Sequence, residues 1–252
     1  MRKLAVILPV VVLFPAASPA EEAPSTSANL ALTSNYVSRG FTQSWGRPAL
    51  QGGIDHIRPS GLFAGLWFST LSTKEFRDGP LEVDLYGGMT GSMAGLNWTA
   101  AAYYYLYPGS SSPFVGNRRY DYAEAKLGLS QGAWSINGYW VLTQRWFGTF
   151  SDARGSSYLE LGYTADLGEG WTLPVQAGFG QIRKHPEARW RQARFGLNKS
   201  LDGGLNLLLT VSRAWDRDQF YTSANYSIDP QGLVPVKRLG PTQWALTLSK
   251  SW

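Results

Sequence analysis

Twelve stretches of this chain share one pattern, in which apolar and polar side chains alternate over roughly ten residues before glycine, serine or charged residues intervene. They fall at 29–37, 48–57, 62–71, 81–90, 95–106, 120–129, 134–146, 157–166, 171–182, 190–199, 205–215 and 241–252. A period of two sends successive side chains to opposite faces of a strand. Roughly ten residues is also the length with which a tilted strand crosses a hydrocarbon layer. In the fifth stretch Leu96, Trp98, Ala100, Ala102, Tyr104 and Leu106 oppose Asn97, Thr99, Ala101, Tyr103 and Tyr105. In the eighth, Leu159, Leu161, Tyr163 and Ala165 oppose Glu160, Gly162, Thr164 and Asp166. The third, LFAGLWFSTL, is apolar on both faces, so its orientation stays open.

The connections alternate as well. Those at 58–61, 91–94, 130–133, 167–170 and 200–204 are short and rich in Gly or Ser, whereas those at 38–47, 72–80, 107–119, 147–156, 183–189 and 216–240 are longer. An even number of strands with tight turns at one end and long loops at the other is the layout of an up-and-down transmembrane barrel. A sandwich has no such strict rhythm.

The first residues point the same way. Arg2 and Lys3 precede an apolar run from Leu4 to Phe14, and small residues lead up to Ala20. That is the form of a secretory signal peptide, too short to span a bilayer as a helix. Cleavage is expected after Ala20, leaving 21–28 as a short leader and 29–252 as a single-domain barrel. Loss of Arg2 and Lys3 takes the formal charge from +5 to +3, too little and too scattered for nucleic-acid binding. Cysteine is absent, which excludes disulfides and thiolate metal sites.

The last stretch, PTQWALTLSKSW, carries Trp244, Leu246, Leu248 and Trp252 on one face, with Gln243, Thr247 and Ser249 on the other. An amphipathic strand ending on an aromatic resembles the closing strand of outer-membrane barrels, which is the signal for the barrel-assembly machinery. Lys250 occupies an outward position that is usually apolar there. Trp98, Trp134, Trp171 and Trp252 fall beside tight turns, and Trp146, Trp215 and Trp244 near long loops, as two interfacial belts would require. Lys199 and Lys250 share the outward parity but sit at the tight-turn end. A cation there costs roughly 0–1 kcal/mol against ~2–4 kcal/mol at the midplane.

The opening stretch NYVSRGFTQSWGRPALQGGID resembles the first hairpin of the TorF-family porins, also called the Gcw_chp family, at Arg39, Gly40, Gln43, Pro48, Gln51, Gly52 and Asp55. Later matches are EVDLYGG from Glu82, YYYLYPG from Tyr103, DYAEAKLGLS from Asp121, YLELGY from Tyr158 and the final LTLSKSW. The resemblance covers nearly the whole mature chain and implies an outer-membrane porin. The segment RKHPEARWRQAR, from Arg183 to Arg194, is more basic than that pattern.

The polar rows place Asp55, Glu82, Asp84, Glu124, Lys126, Glu160, Asp166 and Arg194 as candidates to line a lumen. Acids outnumber bases there six to two, so a constriction built from them would favour cations. The same groups could equally pair with one another. Basic loop residues, among them Arg118, Arg119, Arg154, Arg183, Lys184, Arg189, Lys237 and Arg238, suit the phosphates of lipopolysaccharide. No nucleophile elbow, phosphate loop or metalloprotease motif is present, and no cofactor is implied. The two histidines, His56 and His185, lack a neighbouring serine at the proper end for an outer-membrane phospholipase. The sequence therefore reads as an outer-membrane channel for passive diffusion of small hydrophilic solutes or ions. The alternatives are a non-conducting structural or adhesive barrel, or a lipid-modifying enzyme.

Overall fold

The computed structural model describes residues 24–112, 118–146, 152–216 and 240–252. The expected signal peptide, Lys237 and Arg238 lie outside them. In chain order the strands are β1 (Ser25–Thr33), β2 (Val37–Ser38), β3 (Phe41–Thr42), β4 (Ala49–Ile57), β5 (Leu62–Thr70), β6 (Leu81–Met93), β7 (Leu96–Leu106), β8 (Ser111–Ser112), β9 (Arg118–Arg119), β10 (Tyr122–Gln131), β11 (Trp134–Val141), β12 (Ser157–Gly168), β13 (Trp171–Ile182), β14 (His185–Ser200), β15 (Leu205–Asp216) and β16 (Gln243–Ser251). Twelve of them close a barrel in the order β1-β16-β15-β14-β13-β12-β11-β10-β7-β6-β5-β4. The pairings are antiparallel and, apart from the closing one, join successive wall strands along the chain. The expected up-and-down topology and strand number are thus both present. β2–β3 is a small hairpin within a long connection, and β8–β9 is a separate two-stranded antiparallel pair.

Closure occurs between β1 and β16, with Asn29 opposite Ser251 and Thr33 opposite Thr247. The backbones of Ala28 and Trp252 exchange two further hydrogen bonds, at 3.2 and 3.0 Å. β1 begins at Ser25, so the last residues of the expected leader belong to the barrel wall. They are paired there with β4 from Ser25 to Thr33. Pairing both edges removes the unsatisfied strand edge that an open sheet would expose. Deleting Trp252 removes one closing bond pair and an outward aromatic. The expected outcome is a lower yield of folded barrel, read as the heat-modifiable fraction on SDS gels, with Lys250→Tyr folding at least as well as the parent. Equal folded yield with and without Trp252 would show that closure does not depend on it.

The distribution of side chains is inverted relative to a water-soluble fold. Leu30, Leu32, Leu127, Leu161, Phe195, Leu209 and Leu248 are exposed on the outer wall. Inside lie Thr33, Gln51, Asn137, Thr172, Gln192, Asn198, Asn206 and Ser249, all buried. An exterior that is apolar along its middle, with charges kept to the strand ends, is what a hydrocarbon solvent stabilises. β5 also acquires an orientation: Phe63, Trp67 and Ser69 are buried inside, while Leu62 and Leu66 face out. Its inner face reads as apolar because Trp67 joins an interior aromatic cluster, meeting Tyr36 edge-on with ring centroids 5.6 Å apart.

Two further expectations are corrected. Trp146 is not part of an outer belt; it is buried inside the barrel, 5.5 Å from Trp190 between ring centroids. The basic segment after Arg183 is not a long loop either. β13 and β14 run on to a two-residue turn at Arg183 and Lys184, where Ile182 pairs with His185. Along this extension Ala188, Trp190 and Gln192 face inward, alternating with exposed Glu187, Arg189 and Arg191. The outward positions are charged, which suits a hairpin end standing above an apolar layer.

Candidate functional site

The connection from β1 to β4 does not arch outward. It folds into the mouth of the barrel, and Asn35 holds its base. The Asn35 Oδ1 accepts hydrogen bonds from Thr42 Oγ1 at 2.6 Å and Ser44 Oγ at 3.2 Å, while its Nδ2 donates to Gln243 Oε1 of β16 at 3.0 Å. From this base the β2–β3 hairpin carries Arg39 and Gly40 at its tip, both with positive φ, 49° and 90°. Gly40 packs so closely on the wall that a Cβ there would lie 2.8 Å from the Gln192 Cβ and 2.9 Å from the Ala214 Cβ. The left-handed conformation and this contact together require glycine.

Arg39 is the centre of the site. Its Nη1 and Nη2 donate to Glu124 Oε1 and Oε2 at 2.8 and 2.6 Å, a two-point charge-assisted pair. The guanidinium also lies over the rings of Tyr139 and Tyr158, 4.9 and 4.7 Å from their centroids. Its backbone carbonyl accepts the Trp190 indole N–H at 3.1 Å. Burial acts to lower the pKa of Arg39, but the Glu124 charge and hydrogen bonds outweigh it and push it up. The side chain is therefore held charged. Tyr36, at the hairpin base, has its phenol pKa pushed well up, first by burial and then by the nearby charges of Glu82 and Asp84.

Beneath the hairpin is a pocket of about 60 Å³ lined by Arg39, Gln43, Glu82, Asp84, Glu160 and Arg194 together with Tyr105, Tyr107, Tyr122, Tyr139 and Tyr158. Four of these tyrosines come from the neighbouring strands β7, β10, β11 and β12, Tyr105 lying opposite Tyr122 across β7 and β10, and Tyr107 follows the end of β7. Their rings stack with centroids 4.4 Å apart. Glu82 accepts the Tyr107 hydroxyl at 2.8 Å. Glu160 is acted on by the positive charges of Lys126 and Arg39, and accepts from Tyr158 at 3.3 Å.

The sequence-derived candidates thus separate. Glu82, Asp84, Glu124, Lys126 and Glu160 are buried inside the barrel, and Arg194 lines the same pocket. Asp55 is also buried inside, on β4, where it accepts the Tyr86 hydroxyl at 2.6 Å. Asp166 departs from the expectation. It has inward parity but lies exposed beside the turn after β12, where its carboxylate accepts the Gly168 N–H at 2.9 Å.

The motif residues also divide. Arg39, Gly40 and Gln43 build the hairpin. Gln51 donates to Ser69 Oγ at 3.2 Å on the inner wall. Gly52 faces outward, where a Cβ would meet the Phe68 ring at 2.9 Å. Pro48 is exposed at the entry to β4. Trp244, Leu246, Leu248 and Trp252 are all exposed on the outer wall. What sequence reasoning missed is Arg39 as an interior cation; its only mark was the Arg-Gly pair, a candidate left-handed turn.

The histidines stand apart from this site. His56 meets Thr26 Oγ1 at 2.9 Å near a tight turn, and His185 lies 3.1 Å from Glu187 at the opposite end of the barrel.

No curated protein matches the sequence. Among solved structures, the KdgM porin is similar over 90% of this chain and 99% of its own, at 8% identity and a TM-score of 0.54. The KdgM porin in complex with disordered oligogalacturonate matches over the same shares, at 5% identity and a TM-score of 0.52. At such identities the likeness is one of fold. The profile of the Gcw_chp family, described as a bacterial protein of unknown function, matches residues 16–251. The chain belongs to the Gcw_chp family.

Proposed function

We propose that the protein is an outer-membrane channel for passive diffusion of small hydrophilic solutes or ions, narrowed at its long-loop end by the β2–β3 hairpin. The observation that carries this reading is the closed wall with an apolar exterior and a polar, charged interior. A barrel of twelve strands lies between those filled by side chains at about eight and the wide channels at 16–18. The inserted hairpin therefore sets the free passage. Export by a cleaved signal peptide and folding by the barrel-assembly machinery belong to the same reading. So does contact with lipopolysaccharide, for which Arg189, Arg191 and Arg213 stand exposed on the outer face near the loop end.

The KdgM porin forms a complex with oligogalacturonate, an acidic oligosaccharide. In this chain the pocket is lined by three carboxylates, Glu82, Asp84 and Glu160, against Arg194 and an Arg39 already paired with Glu124, a balance that argues against the same class of solute. The density of buried aromatics around the hairpin favours a second reading, a structural barrel that does not conduct. Planar-bilayer recording separates the two. The channel reading expects discrete unit steps from the purified barrel and uptake of small sugars by liposomes that contain it. Silent bilayers, both from the parent and from a variant lacking residues 37–42, would leave only the structural reading.

A further inference from the structure

Charge pairing inside the pocket is incomplete. Arg39 is committed to Glu124 through both terminal nitrogens. Glu160 has Lys126 and Arg194 acting on it. Glu82 and Asp84 are left, two positions apart on β6 and therefore on the same inward face.

Glu82 has the Tyr107 hydroxyl. Asp84 is only 1% exposed, and neither of its carboxyl oxygens has a hydrogen-bond partner among the described residues. Its cross-strand neighbours are Trp67 and Tyr105, whose side chains are buried inside with it. The charges that act on it are those of Glu82, Glu124 and the already committed Arg39. A buried carboxylate with no donor is costly, and the only favourable charge acting on it is that of Arg39, which is held by Glu124.

The space beside Asp84 is hollow. The pocket exceeds the 10–15 Å³ or so that one water requires, so it admits a small ion with part of its hydration. The donor set selects the charge. Calcium needs six to eight oxygen ligands, and among the described residues no group of three or more Asp, Glu, His or Cys side chains is gathered to hold a metal. Aromatic faces beside a carboxylate instead suit a compact monovalent cation.

We propose that Asp84, assisted by Glu82, binds one small monovalent cation beneath the β2–β3 hairpin, either an alkali ion or a protonated primary amine. The site is an equilibrium binding site and holds its ion whether or not the barrel conducts, so it stands apart from the channel reading.

The test is calorimetric titration of the folded barrel in detergent with methylammonium chloride, potassium chloride and sodium chloride in separate arms, with N-methylglucamine chloride holding the ionic strength. Saturable one-site binding is expected in at least one arm. Methylammonium alone identifies an amine site, and potassium or sodium identifies an alkali site. Asp84→Asn should weaken binding by about tenfold or more, Glu82→Gln should weaken it less, and Asp166→Asn at the exposed turn should leave it unchanged. Each variant is first checked for heat-modifiable migration. If Asp84→Asn does not fold, Glu82→Gln decides. The proposal is overturned by no saturable heat from the parent in any arm, or by parental affinity in Asp84→Asn or, where that variant does not fold, in Glu82→Gln. It is equally overturned by an infrared carboxylic-acid band that Asp84→Asn removes and that persists under saturating cation, since the proton would then be the only occupant.

Discussion

Arg39→Ala is expected to raise the unit conductance of the reconstituted barrel several-fold and to lower its unfolding temperature. Truncating Arg39 breaks the two charge-assisted hydrogen bonds to Glu124, which is only 1% exposed and would keep the Tyr105 hydroxyl at 3.2 Å but lose its paired cation. Breaking a buried pair from one side costs about 3–5 kcal/mol, and the lower part of that range applies because Arg39 retains 16% exposure. The change also frees the hairpin from Tyr139 and Tyr158, where the guanidinium is stacked.

The double variant Arg39→Ala, Glu124→Gln separates the two effects. It should recover most of the stability, because the stranded charge is gone, yet keep the high conductance, because the tip still lacks its side-chain anchor to the opposite wall. Lysine at position 39 should not restore the parent, since an ammonium cannot match the two-point geometry. Parental conductance in Arg39→Ala would show that the hairpin does not limit the passage.

Gly40→Val should have a comparable effect on conductance by a different route. Its Cβ would fall within 2.8–2.9 Å of the Cβ atoms of Gln192 and Ala214, and its φ of 90° is hostile to a branched side chain. Both Cβ atoms are fixed by the paired strands that carry them, so the tip must leave the wall and carry Arg39 with it. Trypsin should then cut after Arg39 in intact proteoliposomes that leave the parent uncut at that position. Gly132 is the matched control, because it also has positive φ, 57°, but nothing stands within 4 Å of its would-be Cβ. Substitution there should leave both conductance and cleavage at Arg39 unchanged. A valine at 40 with parental conductance and no cleavage would mean that the tip is not locked by this contact.

The wall of this protein was legible in the chain because alternation is a local property. Leu159 and Glu160 must face opposite ways in any strand, and one is 44% and the other 8% exposed. The number of strands, their direction and the closing role of Trp244, Leu246 and Leu248 as an outward row follow from the same rule applied twelve times. Where the rule was masked, its chemistry had changed. β14 begins at His185 rather than 190 because its outward positions there are Glu and Arg, which suit water, while Ala188 and Trp190 keep the inward parity. β5 hid its orientation because its inner face packs on aromatics. Trp146 looked like an interfacial anchor because adjacency to a loop says nothing about which way a side chain points.

The contents of the barrel lay beyond any local rule. Arg39 and Glu124 are separated by 85 residues, and only closure of the wall brings the hairpin tip to the sixth barrel strand. Six acids and two bases counted along the polar rows suggested a simple excess of negative charge. The folded chain brings in Arg39 from a loop, sends Asp166 out to a turn, and leaves Asp84 without a partner among the described residues. Periodicity assigns each residue to a face, but which charges neutralise one another depends on distances across the barrel, and those exist only once its first and last strands have paired.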